Sequence, residues 1–225
     1  MPFKPVESLS EQIATHLADK IIRGEITAKE RIQELRIAGE LEVSRGSVRE
    51  ALLILERRHL VDILPRRGAV VTEVTSSHVK GLYQVYSQLL ELLAREVTVK
   101  WSGDDLDSLI KKFESMRTAK DRGDRLERVF DLGFEIMEQA FSIVGNPFLS
   151  ETLINFKPMI QRTYYMALQS QSGDLQDNIV FFASLMDAVI KREEDRAGEL
   201  VKAYVLQQMH EVLSTLDSNA AENNS

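Results

Sequence analysis

Residues 60–72 carry the clearest strand signal of the chain and constrain its fold more than any other segment. Two short runs rich in β-branched residues, 60–64 and 69–72, are joined by the tetrapeptide Pro-Arg-Arg-Gly at 65–68. A Pro/Gly turn between two such runs predicts a β-hairpin with two arginines at its tip. Because the flanking segments follow helical periodicity, the chain is predicted to be mostly α-helical with one small β-hairpin.

Three short helices are predicted ahead of the hairpin. Ser8 and Glu11 have the spacing of a capping box, which predicts the start of the first helix. A second helix is predicted over about 33–40. Ser44 is typical of a helix N-cap and predicts a third helix that runs to about His59.

Helix, helix, tight turn, helix and hairpin is the element order of a winged helix-turn-helix, whose third helix enters the DNA major groove. Arg45 and Arg49 share one face of that helix, where either guanidinium can donate two hydrogen bonds to a guanine. The backbone N–H groups from Ser44 to Ser47 favour a phosphate, and Gly46 permits close approach. Solvation of an exposed face is the alternative role for any single arginine. The predicted DNA-binding residues are Arg36, Ser44, Arg45, Gly46, Ser47, Arg49, Arg66, Arg67 and Gly68.

The charge distribution permits DNA binding although the chain is acidic as a whole. The net charge is -7, but residues 1–75 carry 12 Lys/Arg and 12 Asp/Glu, so the deficit lies in residues 76–225, which carry 16 and 23. Because a phosphate responds to charges within about 10 Å, the local surplus of arginine matters more than the total. Arg66 and Arg67 are predicted to contact the DNA backbone or the minor groove.

From Thr75 onward the pattern is helical, with predicted breaks near 102–103, 122–123, 145–147 and 172–173 that delimit about six helices. Short connections predict antiparallel neighbours packed as a bundle. The predicted domains are a winged helix-turn-helix over 1–75, an all-helical domain over 76–217 and a disordered polar tail over 218–225.

Composition excludes several kinds of protein. The chain has no cysteine, so disulfides, thiolate metal sites and thiol nucleophiles are excluded. No apolar run approaches the roughly 20 residues that span a bilayer, and residues 1–10 lack the layout of a signal peptide. The expected location is the cytoplasm, with no membrane partner.

A set of residues at fixed spacing matches a known pattern: Glu34, Ile37, Ala38, Leu41, Val43, Ser44, Arg45, Val48, Arg49, Glu50, Ala51, Leu52, Leu55 and Glu56, followed by Leu60, Val61, Arg66, Arg67, Gly68 and Val71. In this order they closely resemble the GntR family of bacterial transcription regulators. The all-helical remainder is similar to the ligand-binding domain of the FadR subgroup. The resemblance implies a DNA-binding regulator, not an enzyme, whose C-terminal domain binds a small-molecule effector and dimerises.

Two positions depart from the family pattern. Glu42 stands where a glycine is common, and Leu35 stands where many relatives have an arginine that touches DNA. Arg36, one residue along, is the candidate to replace that arginine. We expect a changed operator sequence as the consequence, not a loss of DNA binding.

The resemblance also implies a metal site, which this sequence retains only in part. The FadR subgroup commonly holds a divalent ion through an aspartate, a histidine one turn later and two further histidines. Asp131 matches the aspartate, but Glu135, Phe182 and Tyr204 occupy the histidine positions. Phenylalanine cannot ligate a metal, so neither a metal nor another cofactor is predicted. A residual site on Asp131 and Glu135 is the alternative.

The first bundle helix departs as well. Tyr86 stands where many relatives hold the effector's carboxylate with an arginine, and Leu90 stands where a glutamate is common. An apolar pocket for an effector with a hydrophobic body is therefore predicted, with Arg95, Asn155 and Arg162 as candidates for its polar handle. The resemblance to members of the FadR subgroup that lack the metal implies an acyl-CoA or another hydrophobic acid as the effector. A closed core is the alternative. The predicted pocket residues are Tyr86, Leu90, Asp131, Glu135, Arg162, Phe182 and Tyr204.

A two-fold homodimer would present two recognition helices to a pseudo-palindromic double-stranded operator. Residues 73–78 are the predicted hinge. Two rival functions are a metal-dependent sensor of a small organic acid and an effector-free DNA-binding protein. An enzyme is disfavoured because the sequence has no recognisable nucleophile, phosphate loop or metal cage.

Overall fold

The computed structural model describes residues 8–122, 126–169 and 175–222, and the chain divides into two compact units. The first unit comprises Met1–Thr75 and Ile154–Tyr165, and the second comprises Ser76–Leu153 and Met166–Ser225. The first unit contains the winged helix-turn-helix, and the second is helical. The predicted fold class, mostly α with a small β wing, is thereby confirmed. The presence of Ile154–Tyr165 in the first unit was not predicted.

Three helices of the first unit precede the wing hairpin. They are α1 (Leu9–Ile22), α2 (Glu34–Glu40) and α3 (Arg45–Arg57). The first and the third begin after a serine whose side chain caps them, whereas the second has no side-chain cap. Ser8 caps α1 by accepting a hydrogen bond from the Glu11 N–H at 3.2 Å, as the capping-box spacing predicts.

The core of this unit lies between α1 and α3. Four residues at helical spacing on α3 are buried, namely Val48, Ala51, Leu52 and Leu55, and they pack toward α1. Leu17 and Ile21 are buried on the facing side of α1. Two polar contacts flank this core: Arg58 pairs with Glu11 at 2.8 Å, and Ser10 donates to Glu50 at 2.6 Å. The buried stripe fixes which face of α3 remains open to a partner.

The wing is a three-stranded antiparallel sheet in the order β1-β3-β2. The predicted hairpin forms from β2 (Val61–Leu64) and β3 (Gly68–Val71). A third strand, β1 (Arg31–Ile32), pairs with the other edge of β3. Sequence reasoning missed β1 because a two-residue strand has no measurable periodicity and is defined only by its pairing with a distant segment.

The helices beyond the wing are α4 (Ser76–Lys100), α5 (Gly103–Asp121), α6 (Leu126–Val144), α7 (Pro147–Gln169), α8 (Leu175–Ile190) and α9 (Glu194–Glu222). In the second unit α4 contacts α6, α8 and α9, and α5 contacts α6 and α8. The breaks near 102–103 and 145–147 fall between helices. The break near 122–123 follows the end of α5, with residue 123 outside the described residues, and the break near 172–173 lies outside them too.

The predicted disordered tail is wrong for residues 218–222, because α9 continues to Glu222. The Ser218 hydroxyl donates to the Ser214 carbonyl at 3.0 Å, as happens within a continuous helix. Alanine, which follows at 220 and 221, has the highest helix propensity, so a polar composition does not end the helix here. Residues 223–225 lie outside the described part of the chain.

Candidate nucleic-acid interface and effector site

The N-terminus of α3 is organised by Ser44. The Ser44 hydroxyl accepts from the Ser47 N–H at 3.0 Å and lies 2.9 Å from the Ser47 hydroxyl. A β-carbon on Gly46 would lie 3.6 Å from the Ser44 oxygen, so the first turn is compact but not crowded. The Ser47 N–H, which was predicted to bind a phosphate, therefore donates to the Ser44 hydroxyl instead. The Ser47 hydroxyl remains at the surface.

Glu34 joins the two exposed arginines in the N-terminal part of α3, Arg45 and Arg49. Its carboxylate pairs with Arg49 at 3.1 Å and with Arg45 at 3.4 Å. The hydrogen bond from Arg49 is the main reason that the pKa of Glu34 lies below its usual value, with Arg45 adding to the effect. The three side chains form one charged cluster, in which two cations surround a single carboxylate and retain a net positive charge.

Arg36 and Leu35 lie on α2 beside this cluster. Arg36 pairs with Glu40 one turn later at 3.3 Å, so its charge is partly neutralised by its own helix. Leu35 is 66% exposed, which leaves a large apolar side chain in solvent next to Glu34. The predicted replacement of a family arginine by Arg36 remains a prediction.

The wing tip presents Arg66 and Arg67 to solvent. Arg66 has a φ of 65° and Gly68 a φ of 76°, so the turn contains two left-handed residues. The Arg67 N–H closes the turn by donating to the Leu64 carbonyl at 3.1 Å. Neither guanidinium has an ion pair within residues 8–122, 126–169 and 175–222. Both charges are therefore available to an external anion.

Phe182 and Tyr204, two predicted pocket residues, come together in an aromatic cluster of the second unit. Their ring centroids are 6.3 Å apart, and Phe181 stacks on Tyr204 at 3.9 Å with the planes 6° apart. The Tyr204 hydroxyl donates to the Asn178 side-chain oxygen at 2.5 Å. A β-carbon on Gly133 would lie 3.1 Å from the tip of Phe182, so the glycine makes room for this ring.

Tyr86 reaches the same face of α6 from α4. It is buried, and its hydroxyl lies 3.7 Å from the Met137 sulfur. Met137 is one helical turn beyond Gly133, so Tyr86 and Phe182 contact neighbouring turns of α6. Burial raises the pKa of Tyr86, with the nearby Tyr83 adding to the effect, and the phenol is neutral. Leu90 follows one turn later on α4 and is half-buried.

Asp131 and Glu135 do not form a metal cage. Glu135 pairs with Arg128 at 3.0 Å and with Lys112 of α5 at 3.8 Å. Asp131 is half-buried on the same helix. In the part of the chain that the structure describes, no group of three or more His, Asp or Glu side chains is placed to hold a metal ion. Glu135 serves as an ion-pair partner in this arrangement.

Arg162 belongs to a different unit from the other predicted pocket residues. It belongs to the first unit, and its Nη1 donates to the Thr72 hydroxyl at 3.5 Å. The Thr72 hydroxyl in turn donates to the His59 carbonyl at 2.8 Å. Arg162 is 5% exposed, and burial lowers its pKa to about 10. The other six predicted pocket residues belong to the second unit.

Several residues of these sites were not predicted from the sequence. Phe181 and Asn178 complete the aromatic cluster, and the adjacent Phe181–Phe182 pair was the available signal for it. Gly133 was detectable as a glycine inside a strongly periodic helix, which often marks close packing. The bridging role of Glu34 depends on the crossing of α2 and α3, which the sequence does not specify.

Comparison with known proteins identifies both parts of the chain. Residues 9–71 match the bacterial regulatory proteins of the gntR family, and residues 81–220 match the FCD domain. No helix in the described segments is both long and apolar enough to cross a membrane.

Several bacterial proteins that are similar to this chain are described as transcription regulators. The chain is 24% identical over 195 residues to the uncharacterized HTH-type transcriptional regulator YdhC of Bacillus subtilis (strain 168), covering 86% of each chain. It is 22% identical over 222 residues to the HTH-type transcriptional repressor RspR of Escherichia coli (strain K12), covering 97% of this chain and 93% of the repressor. The gluconate operon transcriptional repressor of Bacillus subtilis is 26% identical over 183 residues, which are 80% of this chain and 72% of the repressor.

Solved structures share the fold. Escherichia coli McbR/YncC superposes with a TM-score of 0.78 at 19% identity, covering 94% of this chain and 99% of that one. A putative transcriptional regulator GntR from Rhodococcus sp. RHA1 has a TM-score of 0.68 at 19% identity, covering 91% and 97%. Together with the two domain matches, these findings show that the chain belongs to the gntR family of bacterial regulatory proteins, as a transcription regulator with an FCD domain.

Proposed function

We propose that this regulator binds a pseudo-palindromic operator as a homodimer and that a small molecule in its FCD domain changes the affinity for that operator. The proposed effector has a hydrophobic body and an acidic group, as in an acyl-CoA, and binds without a metal. The protein acts in the cytoplasm, where a bacterial operator is found. Binding of the effector shifts DNA affinity only to the extent that the effector prefers one state of the dimer.

Operator reading is supported by the exposed N-terminal turn of α3. Arg49→Ala removes a guanidinium that can bond a guanine, so it should weaken binding to an operator selected from a random library more than binding to unrelated DNA. Arg67→Ala removes a wing cation and should weaken both equally, with a lower salt dependence. Fluorescence anisotropy with both duplexes measures these affinities. Equal losses for Arg49→Ala would contradict the base contact.

Dimerisation is supported by an apolar stripe on α4. Val85, Leu92 and Val99 are spaced by seven residues and are 49%, 43% and 58% exposed. This spacing keeps the three side chains on one face, as in a helix that packs against another copy of itself. Leu92→Glu should convert the dimer to a monomer, as measured by light scattering. Val180→Glu is the control, because Val180 is an exposed apolar residue on a different helix, α8, and its substitution should leave the dimer intact.

The observation that carries the effector proposal is the contact of Phe182 with Gly133. An aromatic ring occupies a position where the family resemblance implies a metal-binding histidine, and the neighbouring Tyr86 is neutral. A site lined in this way favours apolar ligand atoms over a hydrated metal ion. The same contact also favours a second candidate, an effector-free DNA-binding protein, because Phe182 fills the space beside α6.

Native mass spectrometry of the purified protein, before and after denaturation, separates these candidates. Release of an organic molecule without a metal supports the apolar effector site. A bound divalent ion would restore the metal-dependent acid sensor and would contradict our assignment of Phe182 and Tyr204. An unliganded protein whose melting temperature is unchanged by decanoyl-CoA, decanoate and gluconate would favour the effector-free protein.

A further inference from the structure

We propose that Arg31, together with Arg66 and Arg67, forms a phosphate-binding surface on the wing, and we call these three residues the wing cluster. Arg31 lies on β1, the edge strand of the wing sheet that lies between α1 and α2 in the chain. The proposal rests on DNA binding by this chain and adds a contact that lies outside both the recognition helix and the hairpin turn. The ligand is the DNA backbone.

The strand register places the Arg31 side chain on the outer face of the sheet. Arg31 pairs with Val70, and Ile32 pairs with Ala69. Ile32 and Ala69 are buried, so their face of the sheet packs on the core of the unit. Side chains alternate along a strand, and Arg31 therefore lies on the opposite, solvent-facing side.

On that face the Arg31 guanidinium lies over Gly68. A β-carbon built on Gly68 would lie 3.9 Å from the Arg31 Nε and 4.0 Å from its Nη2. Gly68 is the first residue of β3 and directly follows Arg67 in the hairpin turn. The guanidinium of Arg31 therefore lies at the end of β3 that adjoins the hairpin turn, and that turn carries Arg66 and Arg67.

The wing cluster differs electrostatically from Arg45 and Arg49 of α3. Arg45 and Arg49 share the Glu34 carboxylate. The described residues offer no ion pair or hydrogen-bond acceptor to the guanidinium groups of the wing cluster. Asp62 on β2 also pairs with Val70, so it lies on the same face as Arg31 but two strands away. Three cations without carboxylate partners can bind the closely spaced phosphates of DNA. Phosphate contacts do not distinguish one base from another, so the wing cluster is expected to bind DNA without sequence preference.

The test is the salt dependence of binding to a 30-base-pair random-sequence duplex, measured by fluorescence anisotropy. A phosphate contact releases about one counterion, so Arg31→Ala should lower the slope of log K against log salt by about 0.9. Its affinity at low salt should fall several-fold, and by the same factor on a selected operator. Arg31→Lys keeps the charge and should keep the wild-type slope.

Arg117→Ala is the matched control, because it changes the net charge equally but removes a guanidinium that pairs with Glu114 within α5. An unchanged slope for Arg31→Ala, or an equal change for Arg117→Ala, would overturn the proposal. A larger loss on the operator than on random DNA would also overturn it, since Arg31 would then read bases. If the wild-type protein binds neither duplex, DNA binding itself fails. If the wild-type protein binds DNA and the Arg31→Ala variant has the same affinity and salt slope, only the proposed role of Arg31 is contradicted.

Discussion

Glu34 accepts two hydrogen bonds from Arg49, at 3.1 Å from Nη2 and 3.5 Å from Nε. The same carboxylate accepts a third from Arg45 at 3.4 Å. An acidic side chain therefore lies among the groups that we propose to face DNA, where it would repel phosphates. The same ion pairs hold two long, exposed side chains in one arrangement. If these arginines bind DNA as proposed, this arrangement reduces the entropy lost on binding.

Glu34→Gln should separate these two effects. Loss of the negative charge should strengthen binding to random-sequence DNA a few-fold. Loss of the ionic bridge should weaken discrimination between operator and random DNA by up to about tenfold, the scale of one well-placed arginine–guanine contact. Anisotropy titrations with both duplexes measure the two affinities.

Glu25→Gln is the control for the charge change, since Glu25 is exposed in the same unit and has no ion pair within the described residues. It should leave the discrimination unchanged. A Glu34→Gln protein that discriminates as well as the wild type would mean that the bridge does not position Arg45 or Arg49.

The fold of the first unit was predictable largely because its signals are local. Ser8 and Ser44 are capping residues, and their hydroxyls accept the hydrogen bonds that the sequence predicted. The hairpin turn at 65–68 follows from the same kind of short-range chemistry. By contrast, β1 exists only through its pairing with β3, and no short-range pattern specifies that pairing.

The sequence predicted which kinds of side chain belong to the candidate sites, but it did not predict which residues those side chains contact. The sequence placed Arg45 and Arg49 on the outer side of α3, and both side chains are exposed, while their predicted contact with DNA remains a prediction. The bridge from Glu34 was not foreseen, because it depends on how α2 and α3 cross. Arg162 was assigned to an effector pocket from its residue type alone. Its neighbour is Thr72, because the middle of α7 belongs to the first unit, and such long-range packing leaves no trace in helical periodicity.

Gly198→Ala tests a close contact in the second unit. A β-carbon at this position would lie 2.6 Å from the Arg95 Nε and 2.9 Å from its Cζ, so Arg95 must move. Movement breaks its ion pairs with Glu91 at 3.1 Å and Asp195 at 2.6 Å. We expect the free energy of unfolding to fall by about 1–2 kcal/mol, because crowding outweighs the gain in helix propensity.

Gly81→Ala supplies the comparison, since nothing lies within 4 Å of its would-be β-carbon on α4. That change should raise the free energy of unfolding by about 0.5–1 kcal/mol through propensity alone. Urea titrations followed by the fluorescence of Trp101, the single tryptophan, report on both variants. If the two substitutions prove equally stabilising, Arg95 is free to leave Gly198.

Arg192 holds the C-terminal end of α4. It donates to the carbonyls of Thr98 at 3.0 Å, Val99 at 2.6 Å and Trp101 at 2.8 Å, and its guanidinium lies 3.8 Å from the centre of the Trp101 ring. Arg192→Gln should lower the free energy of unfolding by about 1–2 kcal/mol and shift the Trp101 emission. Lys191→Gln, which removes only a surface ion pair with Asp187, should change it by less than about 1 kcal/mol. Equal effects would argue against a special role for Arg192.

Arg162 is a buried cation whose one described hydrogen bond, to Thr72, is long at 3.5 Å. Burial lowers its pKa to about 10, and a fall of that size corresponds to about 3 kcal/mol of stability lost while the guanidinium is charged. Because the folded state has the lower pKa, this cost is fully present at neutral pH and diminishes only as the pH rises above about 10.

Arg162→Met removes the charge but keeps much of the volume, so its melting temperature at pH 7 should equal or exceed that of the wild type. Arg162→Lys keeps a buried charge with fewer hydrogen-bond donors and should melt at a lower temperature than either. Thermal denaturation followed by circular dichroism ranks the three proteins, and the advantage of the methionine variant should shrink as the pH rises above about 10, the pKa of the buried guanidinium. A methionine variant that melts several degrees below the wild type at pH 7 would mean that the Arg162 charge stabilises the unit. The single long hydrogen bond to Thr72 is too weak to explain such a stabilisation.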